Sequence, residues 1–149
     1  MDIYKFSHEE KAECGFTHRI KLTHADLTET ATNTAQTIAL LDVGVGALVS
    51  RCAVRLVTAF KDASDAAFNT TTVIVGDDGD DDRFIASMET NENGTEILGK
   101  AHASTTPYVY LAANAIDIIF GSQSGKALND IDVGELHVFL HVVDLDSHI

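Results

Sequence analysis

The densest group of side chains that could do chemistry is an acidic stretch near the middle of the chain. Residues 75–84 read VGDDGDDDRF, with five aspartates and two glycines between two apolar runs. Counted from Asp78, the spacing approaches that of a calcium-binding loop, with Asp78, Asp80 and Asp82 at its first, third and fifth positions. The sixth position is Arg83, where such a loop requires glycine. A weak Ca²⁺ or Mg²⁺ site on these three aspartates therefore stays only as an alternative.

A turn between two strands explains the acidic stretch better. The flanking residues are β-branched and apolar, whereas a helix–loop–helix calcium site needs helices there. Aspartate and glycine are typical turn residues because their backbones accept tight conformations. We therefore predict a structural turn at Asp77 and Gly79, in which Asp80 or Asp82 pairs with Arg83. The other carboxylates are expected to stay in solvent, without a metal.

The remaining candidate groups lack the spacing that a site requires. His137 and His141 share one face of a predicted strand, but four residues of strand separate them by about 13 Å, too far for one metal ion. They are expected to be packed or interface side chains, although a histidine site completed across a symmetric oligomer stays open.

Residues 121–127, GSQSGKA, have no Ser or Thr directly after the lysine and no following helix, both of which a phosphate loop requires. They are predicted to be a polar turn. Cys14 and Cys52 are expected to be reduced, with Cys52 an inert core thiol. We predict no catalytic residue and no cofactor.

Composition limits the classes of partner. The 149 residues carry a net charge of −13, which argues against binding to nucleic acid or an anionic membrane. No apolar run approaches the roughly 18 residues of a spanning helix, and the charged N-terminus does not look like a signal peptide. The chain is therefore expected to fold in a cytoplasm. Its length fits one domain, and at 45% hydrophobic residues it can bury a core.

The elements that must position these side chains are predicted to be strands. Apolar and polar residues alternate with a period of two, and turn residues separate the segments. The predicted strands are residues 16–22, 37–43, 47–60, 70–75, 83–87, 105–120 and 135–145. In the third strand one apolar face is formed by Leu48, Cys52, Val54, Leu56 and Phe60; in the sixth, by Tyr108, Tyr110, Ile116, Ile118 and Phe120. Asn93 and Gly94 are a hairpin signal.

This pattern predicts an all-β fold. Seven or eight strands with long loops and almost no helix favour an antiparallel β-sandwich of jelly-roll or Greek-key type. We expect the sandwich domain to span residues 16–149. Residues 1–15 show poor periodicity and are predicted to be a short N-terminal arm.

Three stretches together resemble a family of small virion proteins of tailed bacteriophages. They are residues 24–43, the acidic stretch extended to residues 70–87, and the C-terminal strand at residues 134–145. The most specific motif is the turn GDDGDDDRF, and the strand VFLHVVDL supports it. In that strand His141 stands where the family pattern has an arginine, which puts any ion pair there in doubt.

The resemblance implies a structural part of the particle and not an enzyme. Family members resemble head decoration, or cement, proteins, which are β-sandwiches that trimerise and clamp neighbouring capsid subunits. It therefore implies the major capsid protein and further copies of this chain as partners. The protein would be made in the host cytoplasm and would act at the capsid surface of the virion. Tyr4 and Phe6 of the arm, with His137 and His141, are the expected capsid or subunit contacts.

Two other functions stay open on the sequence. A tail or neck component of the virion could use the same sandwich. Jelly-roll domains also bind carbohydrate, often with Ca²⁺ held by an acidic loop such as this one. The chain has no Trp, however, and Tyr108 and Tyr110 are predicted to face the core.

Overall fold

The fold is known from a computed structural model, which describes residues 1–68, 70–91, 101–104 and 107–146. In these residues the chain forms ten strands, one short α-helix and two single 3₁₀ turns. The elements are β1 (Asp2–Lys5), α1 (His8–Cys14), β2 (His18–Thr23), a 3₁₀ turn (His24–Asp26), β3 (Gln36–Val43), β4 (Ala47–Lys61), β5 (Thr72–Asp77), β6 (Asp80–Glu89), β7 (Ala101–Ser104), β8 (Tyr108–Val109), β9 (Asn114–Phe120), a 3₁₀ turn (Leu128–Asp130) and β10 (Val133–Asp144).

The strands form two sheets that pack face to face. Sheet A has the order β1-β2-β10-β4-β7, with β8 also paired to β4, and sheet B has the order β3-β9-β5-β6. All the pairings between these strands are antiparallel. The predicted antiparallel β-sandwich is confirmed.

The strand pairs are nested within one another along the chain. β5 pairs with β6, β4 with β7, β3 with β9, and β2 with β10, so that each pair encloses the previous one in sequence. The pairs also alternate between sheet B and sheet A. This is the arrangement that results when one long antiparallel ribbon wraps into two layers, while the jelly-roll type itself stays a prediction.

The core lies between the two sheets and follows from the alternation of side chains along each strand. In β10 the alternate residues Leu136, Val138 and Leu140 share one face and are fully buried. Across the sandwich, the rings of Phe60 and Phe120 lie 5.1 Å apart. Burying an apolar side chain of this size contributes about 1.5–3 kcal/mol, so these inward faces supply most of the stability.

A β-bulge in β4 explains why one residue of the predicted apolar face is not buried. Cys52, Val54, Leu56 and Phe60 are buried as predicted, but Leu48 is not; Ala47 and Val49 are buried instead. Arg51 pairs with His141 and Val49 pairs with Val142, which leaves one extra residue in β4 between the two pairs. A bulge of this kind moves the side-chain alternation by one position.

The segment predicted as one strand at residues 105–120 is instead divided between the two sheets. Tyr108 and Val109 pair with β4 in sheet A, and β9 begins at Asn114 in sheet B. Between them Tyr110 exchanges backbone hydrogen bonds with the β4 entry, accepting from Gly46 N at 2.8 Å. The chain then crosses to the other sheet. The predicted hairpin at residues 93–94 lies outside the described residues.

The N-terminal residues predicted to be an arm belong to the sheet. β1 pairs with β2, with Ile3 opposite Ile20, and forms the edge of sheet A. A short helix follows, in which Ser7 and Glu10 form a reciprocal capping box. The extended arm is therefore replaced by a strand and a helix that the sequence pattern did not indicate, while a domain boundary after residue 15 stays a prediction. Neither α1 nor the two 3₁₀ turns in the described chain has the length or apolar character to cross a membrane.

Candidate functional site

The acidic stretch is a hairpin turn, as predicted. β5 ends at Asp77 and β6 begins at Asp80, and these two residues form the last pair of the ladder. Asp78 and Gly79 are the two residues of the turn between them. The backbone of β6 crosses so close to Gly76 that a β-carbon there would lie 2.1 Å from the Asp80 carbonyl oxygen. Only glycine fits at this position.

One aspartate of the hairpin is buried and fully hydrogen-bonded. Asp77 is 4% exposed, and its carboxylate accepts five hydrogen bonds. Two come from the backbone N–H groups of Gly79 and Asp80, at 2.9 and 3.1 Å. Two come from Arg83, from Nε at 2.6 Å and Nη2 at 3.2 Å, and the fifth comes from the Tyr110 hydroxyl at 2.8 Å. With its lone pairs used in this way, the carboxylate holds structure and is not free to act as a base.

Arg83 has a closer acidic partner than the predicted one, and its predicted pair with Asp80 is long. Asp77 pairs with Arg83, whereas Asp80 reaches only 3.9 Å from Arg83 Nη1 and Asp82 forms no ion pair within the described structure. Burial alone would raise the pKa of Asp77, but the hydrogen bonds from Arg83, Tyr110 and Gly79 outweigh burial and lower it. Because it is held by both backbone and side-chain donors, Asp77 is the residue that fixes the guanidinium.

Two tyrosines from the other sheet complete the cluster. The Arg83 guanidinium lies 3.8 Å from the centre of the Tyr108 ring, and Tyr108 and Tyr110 pack edge to face with their centres 4.9 Å apart. Burial and the bond to Asp77 raise the pKa of Tyr110. Sequence reasoning placed both tyrosines on the core side but did not connect them with the turn. The cluster joins the tip of β5–β6 in sheet B to β8 in sheet A.

The exposed aspartates of β6 are the nearest approach to a cation site. The carboxylates of Asp80, Asp81 and Asp82 lie within 4.8 Å of one another, and all three residues are exposed. A hydrogen bond with Asp80, and to a lesser degree burial and neighbouring negative charges, raises the pKa of Asp82. The set proposed from sequence is therefore brought together only in part, because Asp81 takes the place of Asp78. Exposed acidic groups of this kind are common without an ion.

The two histidines of β10 lie on the outer face of sheet A and bind polar neighbours. His137 Nε2 is 3.0 Å from Glu135, and its ring packs against Phe139. His141 Nδ1 is 2.6 Å from the Ser50 hydroxyl. Burial and, to a lesser degree, the charges of nearby cations lower the pKa of His141. Both side chains are half-buried, and their role as subunit contacts stays a prediction.

The aromatic residues of the N-terminus form a small exposed group. Tyr4 is 43% exposed, its ring packs edge to face with Phe6, and its hydroxyl donates to Glu10.

The polar stretch at residues 121–127 is a turn closed by a bridge between Gln123 and Lys126, as predicted.

The two cysteines are free thiols. Cys52 is buried, and burial raises its pKa to about 12, whereas Cys14 is exposed. The prediction of an inert core thiol at Cys52 agrees with this environment.

Two solved structures share this fold. The first is a chain of the cyanophage Pam1 capsid asymmetric unit, with a TM-score of 0.55 and 14% sequence identity, covering 83% of this chain and 79% of that chain. The second is a chain of the acidic stable capsid structure of Helicobacter pylori bacteriophage KHP30, with a TM-score of 0.52 and 16% identity, covering 85% of this chain and 86% of that chain. Because the shares are similar on both sides, the matched chains are about as long as this one. No family model matches the chain, and no curated protein matches it in sequence.

Proposed function

We propose that this protein is a structural component of a phage virion, and specifically a capsid decoration, or cement, protein. It would assemble as a homotrimer at the capsid surface and clamp neighbouring subunits of the major capsid protein. The observation that carries the proposal is the shared fold over most of both chains with proteins from two phage capsid structures. The resemblance of the acidic turn and of the terminal strand to small virion proteins supports it independently.

A cementing role needs adhesion and no reaction. The most buried carboxylate of the candidate site, Asp77, is occupied by structural hydrogen bonds. A trimer that touches several capsid subunits at once gains affinity from effective concentration, so that modest individual contacts are sufficient.

The edge strand β1 is the contact surface that the structure favours. Ile3 is 52% exposed and Tyr4 is 43% exposed, on opposite faces of a strand whose outer edge is unpaired in the described chain. Beside Ile3 an open cavity of about 320 Å³ lies between β1 and β3, lined mainly by apolar residues: Met1, Ile3, Ala39, Leu40, Leu41 and Asp42. An exposed apolar strip next to an open strand edge is suited to a protein partner. We propose that a major capsid subunit occupies it.

The test is cosedimentation of the purified protein with expanded capsids of its phage. We expect saturable binding and, in solution, a trimer mass by light scattering. Binding to isolated tails and not to capsids would favour the tail or neck alternative, and binding to neither would refute a virion role. Calorimetry with Ca²⁺ and a glycan array should both be silent, since a signal in both would favour a carbohydrate-binding module.

Point variants locate the contact without removing the edge strand. Ile3→Asp should weaken capsid binding by tenfold or more, because it places a charge on the proposed contact strip. Leu111→Asp is the matched control, since Leu111 is 88% exposed in the loop between β8 and β9. Equal binding by both variants would exclude β1 as the contact, while leaving the test of virion association itself unaffected.

A further inference from the structure

A cleft lined by basic residues opens beside the end of β10. Its volume is about 410 Å³, and its lining consists of Lys5, Lys11, Thr17, His18, His141, Val142, Val143 and Asp144. β1 contributes the first lysine and α1 the second. Lys5 lies directly opposite His18 in the β1–β2 ladder, so two basic side chains share one cross-strand pair.

The cleft exists because β2 and β10 separate at this point. Their last ladder pair is His18 with Leu140. Beyond it the N–H of Val142 donates to the Thr17 hydroxyl at 2.9 Å, while the N–H of Thr17 donates to the Leu140 carbonyl at 2.8 Å. From His141 onward β10 pairs only with β4 among the described strands. Its other edge forms one side of the cleft.

The positive charge of the cleft stands out against the charge of the chain, which is −13. Lys5 and Lys11 form no ion pair with any carboxylate in the described ranges, whereas Lys21 and Lys126 elsewhere are paired with Glu135 and Asp65. Among the described lining residues, Asp144 is the one acidic side chain. In a molecule with more than twice as many acidic as basic residues, two lysines in one cleft without such a partner indicate a site for an anion.

The histidines of the cleft show the effect of this charge. His18 Nδ1 is 2.8 Å from the Thr17 hydroxyl and His141 Nδ1 is 2.6 Å from the Ser50 hydroxyl. Within the described chain, each Nε2 atom is left without a hydrogen-bond partner. Burial, then Lys5 and Lys11, lower the pKa of His18. Burial, then Arg51 and Lys11, lower the pKa of His141.

We propose that this cleft binds a carboxylate group between Lys5, Lys11 and the Nε2 atoms of His18 and His141, and that binding takes up protons. The anion supplies the negative charge that the two lysines lack, and each imidazole becomes a better donor to it when protonated. The charged groups that act on the histidines are Lys5 from β1, Lys11 from α1 and Arg51 from β4, and Asp144 from β10 lines the same cleft. A carboxylate fits better than a phosphate chain, because a polyanion would also meet the acidic remainder of the surface.

The experiment is a histidine NMR titration of the full chain with sodium glutarate as the probe. Glutarate should raise the pKa of His18 and of His141 by roughly 0.5 each, because a bound anion favours the charged imidazole. Two such changes set a limit of about tenfold on the gain in affinity, so glutarate should bind more tightly at pH 6, where it is still mostly ionised, than at pH 8. His137, which lies at the other end of the strand beside Glu135, is the internal control and should not respond.

A matched pair of variants distinguishes binding in this cleft from a general effect of positive charge on the protein. Lys11→Gln and Arg55→Gln each remove one positive charge, and neither residue has an ion pair in the described parts of the chain. Lys11→Gln should weaken glutarate binding about tenfold or more, and Arg55→Gln should not. An equal loss in both variants, or no change at His18 and His141 with glutarate, would overturn the proposal.

Two further probes identify the ligand. Inorganic phosphate that binds as tightly as glutarate would overturn the assignment to carboxylate. A blocked Asp-Glu dipeptide that binds more tightly than glutarate supports the site and assigns the carboxylate to an acidic segment of a partner protein. Tighter binding of glutarate also supports the site and assigns it to a free organic acid.

Discussion

Replacement of Asp77 by asparagine should strongly destabilise the sandwich without changing its shape. The side chain keeps its size, but the carboxylate charge that holds Arg83 is lost. One of the two acceptor oxygens also becomes an NH₂ group, which can only donate. The five donors that now converge on Asp77 would then share a single acceptor.

The magnitude follows from what is left unsatisfied. Breaking a buried ion pair by removing one partner costs about 3–5 kcal/mol. The Arg83 side chain is still 19% exposed and can recover part of its hydration, which brings the expected loss to roughly 2–4 kcal/mol. For a domain of this size, a loss in the middle of that range lowers the melting temperature by roughly 6–12 °C.

The stability that Asp77→Asn loses relative to the wild type should decrease as the pH falls. The pKa of Asp77 is lower in the folded protein than in the unfolded chain, so the ionised carboxylate contributes stability above the unfolded value of about 3.9. That contribution is lost as the pH falls through the folded pKa. The wild-type protein and Asp77→Asn should therefore differ fully at pH 7 and converge in acid.

The assay is urea unfolding followed by circular dichroism and tyrosine fluorescence at pH 7 and pH 3. Asp78→Asn is the control, because Asp78 is an exposed residue of the same turn and the variant removes the same charge. The control should unfold at the wild-type urea concentration. If both variants lose the same stability, or if Asp77→Asn stays destabilised by the same amount at pH 3, the cluster does not hold the hairpin as we describe.

Two further predictions concern backbone and thiol environments. Gly76→Ala should destabilise the protein by about 2 kcal/mol or more in the same urea assay, because its β-carbon would lie 2.1 Å from the Asp80 carbonyl oxygen. Gly44→Ala is the control and should be nearly neutral, because the space around Gly44 is open. A thiol reagent at pH 8 should label one cysteine of the native protein, Cys14, and reach Cys52 only after unfolding, because Cys52 is buried with its pKa raised to about 12. Rapid labelling of both in native buffer would contradict the buried position of Cys52.

Much of the fold could be predicted from local pattern. A period of two in apolar residues identified the strand of residues 47–60, because it has one face in the core. The strand of residues 135–145 was identified instead by apolar residues on both of its faces. The pattern failed where tertiary pairing overrides it. The bulge that buries Val49 and not Leu48 depends on the register with β10, and the break after Val109 depends on which sheet each half joins. The N-terminal strand is exposed along its length, so it shows no alternation to detect.

The candidate site was predicted in the same partial way. Turn chemistry correctly located the reversal at Asp78 and Gly79, because those preferences are local. The closest partner of Arg83, Asp77, was not predicted, because sequence does not show which of several nearby aspartates is buried. Tyr110 could not have been assigned to the turn, since 33 positions separate it from Asp77 and the two meet only when the sheets pack.

The nested order of the strand pairs has a consequence for how the molecule is made. The β5–β6 hairpin closes over two residues and can form early, but the outermost of the four nested pairs joins β2 to β10. Such distant pairings carry a large loop-closure cost and slow the search for the native state. β10 also lies in the middle of its sheet, between β2 and β4, and follows every other described strand in the chain. During synthesis β2 and β4 therefore cannot form their shared sheet until β10, the strand that lies between them, has left the ribosome.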